Sequence, residues 1–304
     1  MENTKTATKE NRVSKNAISL NGNGQTTSRL AVNKTYKMYV DGKFIRSESG
    51  RYFTLPADAS INICRASRKD IRDAVVVARK AQPEWGKRSA YNKGQILYRI
   101  AEMLEARKAQ IISSLIAEGI KPQAAESEVH AAIDTFIHYA GWSDKYIQLF
   151  STVNPVESSH FNFSYPEPQG ITACIAPEAG GALGLAQSIA PAIVGGNTII
   201  VLSSYTHSVT ACIMAEIFHS SDVPGGVINI LNGQRKELMQ HFATHKDINA
   251  IVFSDVTAEE YKAIETNACS NLKRVVNLAK RNEQSPYRIM ELQEIKTTWH
   301  PVGL

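Results

Sequence analysis

Ile171-Thr172-Ala173-Cys174-Ile175-Ala176 is a short apolar run rich in β-formers, and runs of the same kind return at 198–202, 227–231, 250–253 and 274–278. Between them, near 184–194, 207–220, 235–245 and 257–270, apolar residues recur at a period of about 3.6, the spacing of one helix face. Strands that alternate with helical crossovers must lie parallel in one sheet, because each crossover returns the chain to the same end. The reading is an α/β fold with a doubly wound parallel, Rossmann-like sheet. Ligands of such sheets bind beyond the carboxyl ends of the strands, so any chemistry falls on the residues just after each run.

Upstream, Tyr36-Lys37-Met38-Tyr39-Val40 and Lys43-Phe44-Ile45-Arg46 flank Asp41-Gly42, a two-residue turn pair, and predict a β-hairpin. N-terminal helices follow. Ser67 with Asp70 three residues on caps the first, which is expected to break at Pro83-Glu84-Trp85-Gly86. A second carries Leu97, Ile100, Ala101, Leu104, Ile111 and Leu115, and a third spans about 124–146. His130 and His138 on that third helix lack further ligands at metal spacing, and His241 and His245 lack the Glu of a zinc helix, so no metal is expected.

Composition narrows the setting. The net charge is +5, but Lys5, Lys9, Arg12, Lys15, Arg29 and Lys34 against Glu2 and Glu10 place most of it before residue 37. The near-neutral remainder suits neither nucleic acid nor an anionic membrane. Residues 1–35, polar and basic, are expected as a disordered tail, 36–281 as the main domain with a bridging strand near 158–168, and 282–304 as a C-terminal strand. No apolar run is long enough for a membrane span. Four cysteines spaced far apart point to a reducing, cytoplasmic setting.

Several landmarks carry a family likeness: Tyr139-Ala140-Gly141-Trp142, Pro166-Glu167-Pro168-Gln169-Gly170, Ile175-Ala176-Pro177, Gly195-Gly196-Asn197-Thr198, Pro224-Gly225-Gly226-Val227-Ile228-Asn229 and Asn271-Leu272-Lys273-Arg274-Val275. In that order, over roughly 36–280, the chain resembles the NAD(P)-dependent aldehyde dehydrogenases. The resemblance also exposes departures at every strand end. Where the family has Trp-Asn-Phe-Pro, whose Asn helps hold an oxyanion, this chain has Glu178-Ala179-Gly180-Gly181. Losing one such donor costs on the order of 10²–10³ in rate. The Lys-Pro-Ser-Glu that grips the adenosine ribose becomes Leu202-Ser203-Ser204-Tyr205. Two charge-assisted hydrogen bonds of about 1.5–3 kcal/mol each are thereby lost. The glycine-rich turn keeps only Gly233, and Phe-Thr-Gly-Ser becomes Phe253-Ser254-Asp255-Val256, with a negative charge near the expected phosphates. The general-base Glu is replaced by Leu278. No cysteine follows Cys269, which is expected to be a packed or half-buried thiol rather than the nucleophile.

In the family a catalytic domain lies between the fifth strand and the terminal strand; here Glu294-Ile295-Lys296-Thr297-Thr298-Trp299-His300-Pro301 follows within about twenty residues. Phe161, Phe163 and Tyr165, and likewise Ile295, Thr297 and Trp299, alternate with polar residues as strands with one apolar face. The resemblance makes these the strands that join subunits; ordinary pairing within the chain is the other reading. The expectation is a catalytically inactive structural or regulatory subunit. It would form a homo- or hetero-oligomer with a full-length aldehyde dehydrogenase through Phe161, Phe163, Tyr165, Ile295 and Trp299. Sheet faces bared by the missing domain would add to its docking surface. No cofactor is expected, with weak NAD(P) binding at most. The alternatives are an NAD(P)-dependent aldehyde dehydrogenase component that retains weak cofactor binding, and a small-molecule sensor whose cleft is reshaped by Leu202 and Tyr205.

Overall fold

The computed structural model describes residues 18–20, 26–28, 34–278 and 284–303. Strands β1 (Ile18–Leu20) and β2 (Thr26–Ser28) pair antiparallel within a unit of their own, Met1–Lys34. The remainder of the tail expected at 1–35 lies almost wholly outside the described residues.

The second unit, Thr35–Leu304, opens with β3 (Thr35–Tyr36), β4 (Met38–Val40), β5 (Lys43–Ile45), β6 (Tyr52–Leu55) and β7 (Asp58–Cys64). Strands β4 and β5 form the expected hairpin, with Asp41 at φ 56° and Gly42 at φ 69°, the left-handed pair that such a turn requires. Helix α1 (Arg68–Lys87) starts at the Ser67–Asp70 capping box and, against expectation, continues through Pro83. Tertiary packing overrides the proline: Trp85, 1% exposed, donates its indole N–H to the Ile193 carbonyl at 2.9 Å and anchors the last turn. The single helix expected next is two, α2 (Ala90–Ala106) and α3 (Lys108–Ala117), which part at Arg107. There the backbone leaves helical geometry, and the guanidinium reaches Glu216 at 2.6 Å. The third likewise ends early, as α4 (Pro122–Trp142), and α5 (Lys145–Phe150) follows it.

After β8 (Thr152–Asn154) and β9 (His160–Pro168), the alternating half begins. Its elements are β10 (Ile171–Ile175), α6 (Gly181–Val194), β11 (Thr198–Leu202), α7 (Ser208–His219), β12 (Ile228–Leu231), α8 (Arg235–Thr244), β13 (Ala250–Phe253), α9 (Ala258–Ala268) and β14 (Arg274–Asn277). The sheet runs β14-β13-β10-β11-β12-β4-β5, with its first five strands parallel. Alternate side chains enter opposite cores: Ile199 and Val201 join the layer built from α2, α4, α6 and α7, while Ile200 and Leu202 join that of α1 and α8. Every residue of β10 to β13 is buried. The bare sheet faces expected from a missing domain are therefore absent in these strands, because the chain's own helices cover both sides.

Short helix α10 (Tyr287–Met290) leads to β15 (Gln293–Pro301). This segment is built into the domain, with Ile289 and Leu292 buried, Asn197 Nδ2 donating to the Leu292 carbonyl at 3.0 Å and Arg274 bonding the carbonyls of Glu291 and Gln293. Strand β15 pairs antiparallel along the whole of β9, and β8 pairs with β9 on the other side. The two strands singled out for joining subunits thus pair with each other inside one chain. Their apolar stripes also fall on opposite faces. Lys296 stands opposite Tyr165 and Thr298 opposite Phe163, so Phe161, Phe163 and Tyr165 share a face with them, while Ile295, Thr297 and Trp299 share the other with Pro166, Ser164 and Asn162.

Candidate functional site

The loops after β10, β11, β12 and β13 converge at the carboxyl end of the sheet, where they are tied to one another. Glu178, after β10, turns its carboxylate toward the β11–α7 loop. It accepts from Ser204 Oγ at 2.7 Å, from the Tyr205 N–H at 2.9 Å and from the Thr206 N–H at 3.3 Å. Arg235, first residue of α8, donates to the Ala176 carbonyl at 3.1 Å and to Asp255 Oδ1 at 2.7 Å, while Asp255 Oδ2 accepts the Glu178 N–H at 2.6 Å. With its side chain 15% exposed, the guanidinium sits largely out of water between three loops. Charge-assisted hydrogen bonds of this kind are about twice as strong as neutral ones. The negative charge that the sequence places at Asp255 is therefore paired with Arg235.

Helix N-termini next to these loops are engaged too. Glu128 on α4 accepts from the N–H groups of Ala182 and Leu183 at 2.7 and 3.3 Å, and Glu118 accepts from those of Val209 and Thr210 at 2.8 and 3.2 Å. N–H groups at the starts of α6 and α7, where phosphate binds in many sheets of this kind, hold the chain's own carboxylates instead.

Beside this network lies a cleft of about 460 Å³, lined by Ala179, Leu183, Gln187, Ser254, Asp255 and Leu278 among others. It brings together Ala179 and Leu278, the positions read as those of the oxyanion donor and the general base. Leu202, Tyr205, Gly233 and Val256, also singled out from the sequence, do not line it. Leu202 is 1% exposed within the sheet core. Tyr205 stacks on Phe53 with ring centroids 4.6 Å apart. Gly233 is closed over by α8: a Cβ there would come 2.7 Å from Leu238 Cδ1, so this glycine serves packing within the chain. Val256 packs half-buried on the core beneath α8. Leu202 and Tyr205 thus serve packing and leave the cleft's shape to other residues.

No thiol is placed to act in the cleft. Burial pushes Cys174 up to about 12, so it holds its proton beneath the loops. Cys269, expected to be packed or half-buried, is exposed, and it precedes β14 at the amino end of the sheet, away from the cleft. Among the described residues no group of three or more His, Cys, Asp and Glu is arranged to hold a metal, and no helix is long and apolar enough to cross a membrane.

Sequence reasoning missed Glu178, Arg235, Glu118 and Glu128. One signal was present: Glu178 introduces a carboxylate directly after a buried strand, in the same motif that loses its Asn.

Parallel strands, crossover helices and a cleft at the strand ends define a Rossmann-like α/β protein with a small three-stranded sheet appended. The chain belongs to the aldehyde dehydrogenase family, whose sequence pattern matches residues 55–279. It is 30% identical over 261 residues to the putative aldehyde dehydrogenase DhaS of Bacillus subtilis, covering 83% of this chain and 52% of that protein. Similarity to the cytosolic 10-formyltetrahydrofolate dehydrogenase of Xenopus laevis is 28% over 82% of this chain but only 28% of the relative. Among solved structures, an NAD+ complex of an aldehyde dehydrogenase from Bacillus cereus superposes with a TM-score of 0.76 at 23% identity, over 80% of this chain and 50% of that one. The chain spans about half the length of DhaS and of that solved structure, and less of the folate enzyme.

Proposed function

We propose that this chain is a catalytically silent aldehyde dehydrogenase relative that serves as a structural or regulatory subunit of a full-length, active one. The observation that carries this reading is the cleft itself, where Ala179 and Leu278 stand together and offer neither an oxyanion donor nor a base. NAD(P), the coenzyme of the resembled enzymes, fits poorly. The Tyr205 and Thr206 N–H groups already hold Glu178, Leu202 is sealed in the core, and Glu178, Asp255 and Glu260 crowd around Arg235. Calorimetric titration of the whole chain with NAD+ and NADP+ is expected to give no saturable binding at micromolar coenzyme. Micromolar affinity would remove this reading and favour the competing one, a cofactor-binding component of an aldehyde dehydrogenase, for which the open cleft beside Ala179 speaks.

The docking surface is the three-stranded sheet. Over residues 162–164, β9 has a neighbour on each side, which leaves β8 and β15 as edges, and strand addition is assigned to β15 because it is nine residues long against three for β8. That edge is flanked by exposed Ile295 and Trp299 on one face and by the row of Phe161, Phe163 and Tyr165 rings on the other. A cytoplasmic, full-length aldehyde dehydrogenase or a second copy of this chain is the partner in this account. Native purification should bring it along, and a clean monomer would remove the partner.

A further inference from the structure

Against the loop network, and sharing Glu178 with it, lies a buried pair that neither docking nor the silent cleft uses, His207 and Glu118. His207, immediately before α7, is 5% exposed, and its Nδ1 lies 3.5 Å from Glu118 Oε2, whose own side chain is fully buried. Three carboxylates face the imidazole: Glu118 from the end of α3, Glu128 from α4 and Glu178 from the β10–α6 loop. Each is also bonded to backbone N–H groups, at the start of α7, the start of α6 and the β11–α7 loop respectively. The His207 backbone N–H donates to Ser204 Oγ, which in turn donates to Glu178. On its other side His207 abuts the start of α6, where a Cβ at Gly181 would come 2.8 Å from the His207 Cβ. The imidazole is wedged where two helix starts and two strand-end loops meet.

Glu118 lies against the imidazole, and Glu128 and Glu178 add negative potential there from two further elements. We propose that His207 is a proton-operated keystone: charged, it holds together the starts of α6 and α7 and the loops that close the strand ends; neutral, it lets them part. The electrostatics agree in sign. Burial pulls the imidazole down, but the Glu118 carboxylate 3.5 Å away and the negative potential of Glu128 and Glu178 outweigh it and hold His207 above its ordinary value. A group raised on folding contributes stability that is fully present below its unfolded value, about 6.5, and is lost as pH rises through the folded value. The device does not depend on whether the cleft takes a coenzyme.

The test measures unfolding of the whole chain by denaturant from about pH 6 to about pH 9, beside His207→Gln, with an NMR titration of the wild-type imidazole. The wild type should lose about tenfold in its folding constant for each unit by which His207 is raised, and His207→Gln should lack that component. Amides of Ala182, Tyr205 and Thr206 should exchange faster, after correction for intrinsic rates, once the imidazole is neutral. Parallel stability curves for the two proteins, or an imidazole that titrates at or below the ordinary histidine value, would overturn the proposal. The imidazole titration needs only the wild-type chain, so it decides the matter even where the variant fails to fold.

Discussion

Trp85→Ala is expected to cost about 3–5 kcal/mol of stability, enough to unfold much of the population of a marginally stable domain. Trp85 is among the largest fully buried side chains, at 1% exposure, and it holds the end of α1 against α6. Alanine removes the ring, leaves a cavity and abandons the Ile193 carbonyl, which now accepts the indole N–H at 2.9 Å. Pro83 makes the site more sensitive, because it deprives the last turns of one backbone bond and leaves Trp85 to fix their direction. Trp85→Phe keeps most of the packing and should cost about 1–2 kcal/mol, mainly for the lost hydrogen bond. Denaturant midpoints measure both. A loss below about 1 kcal/mol for the alanine variant would show that α1 is not anchored there.

Glu118→Ala should be of similar size, about 3–5 kcal/mol, for a different reason. The Glu118 side chain is fully buried and accepts from the Val209 and Thr210 N–H groups and from Thr210 Oγ1 at 2.6 Å, beside His207. Removing it strands the Val209 and Thr210 N–H groups, leaves the Thr210 hydroxyl to Ser114 alone and takes the carboxylate from beside a buried imidazole. Glu118→Gln retains one acceptor oxygen and should lose distinctly less. If both variants unfold at the wild-type denaturant concentration, the start of α7 does not depend on this carboxylate.

The sheet was legible because parallel strands buried on both faces are written as uninterrupted apolar runs. Strands β11 and β13 fall on 198–202 and 250–253 as read from the sequence, and the Ser67–Asp70 cap and Asp41-Gly42 turn are local signals that tertiary structure left in place. Where long-range packing decided, the reading failed. Pro83 sits inside a helix because Trp85 is anchored far away in sequence, and α2 parts from α3 where Arg107 reaches Glu216. Alternation in 161–165 and 295–299 located two strands correctly but could not give their mutual register, which puts the two apolar stripes on opposite faces. The loop network was least legible of all. Glu178, Ser204, Arg235 and Asp255 each look like an isolated surface residue until the sheet gathers the strand ends.

That gathering bears on how the family motifs changed. Glu178 stands in one altered motif and bonds Ser204 and Tyr205 in another, while Asp255 of a third bonds the Glu178 N–H and Arg235. Replacements that satisfy one another's hydrogen bonds keep the strand-end loops folded.

The absorbance of reduced nicotinamide is the most direct measure of catalytic silence. The whole purified chain, given NAD+ or NADP+ with aliphatic and aromatic aldehydes in turn, should form no reduced coenzyme above the protein-free rate. Aldehyde-dependent reduction that follows this chain through every purification step would contradict the account.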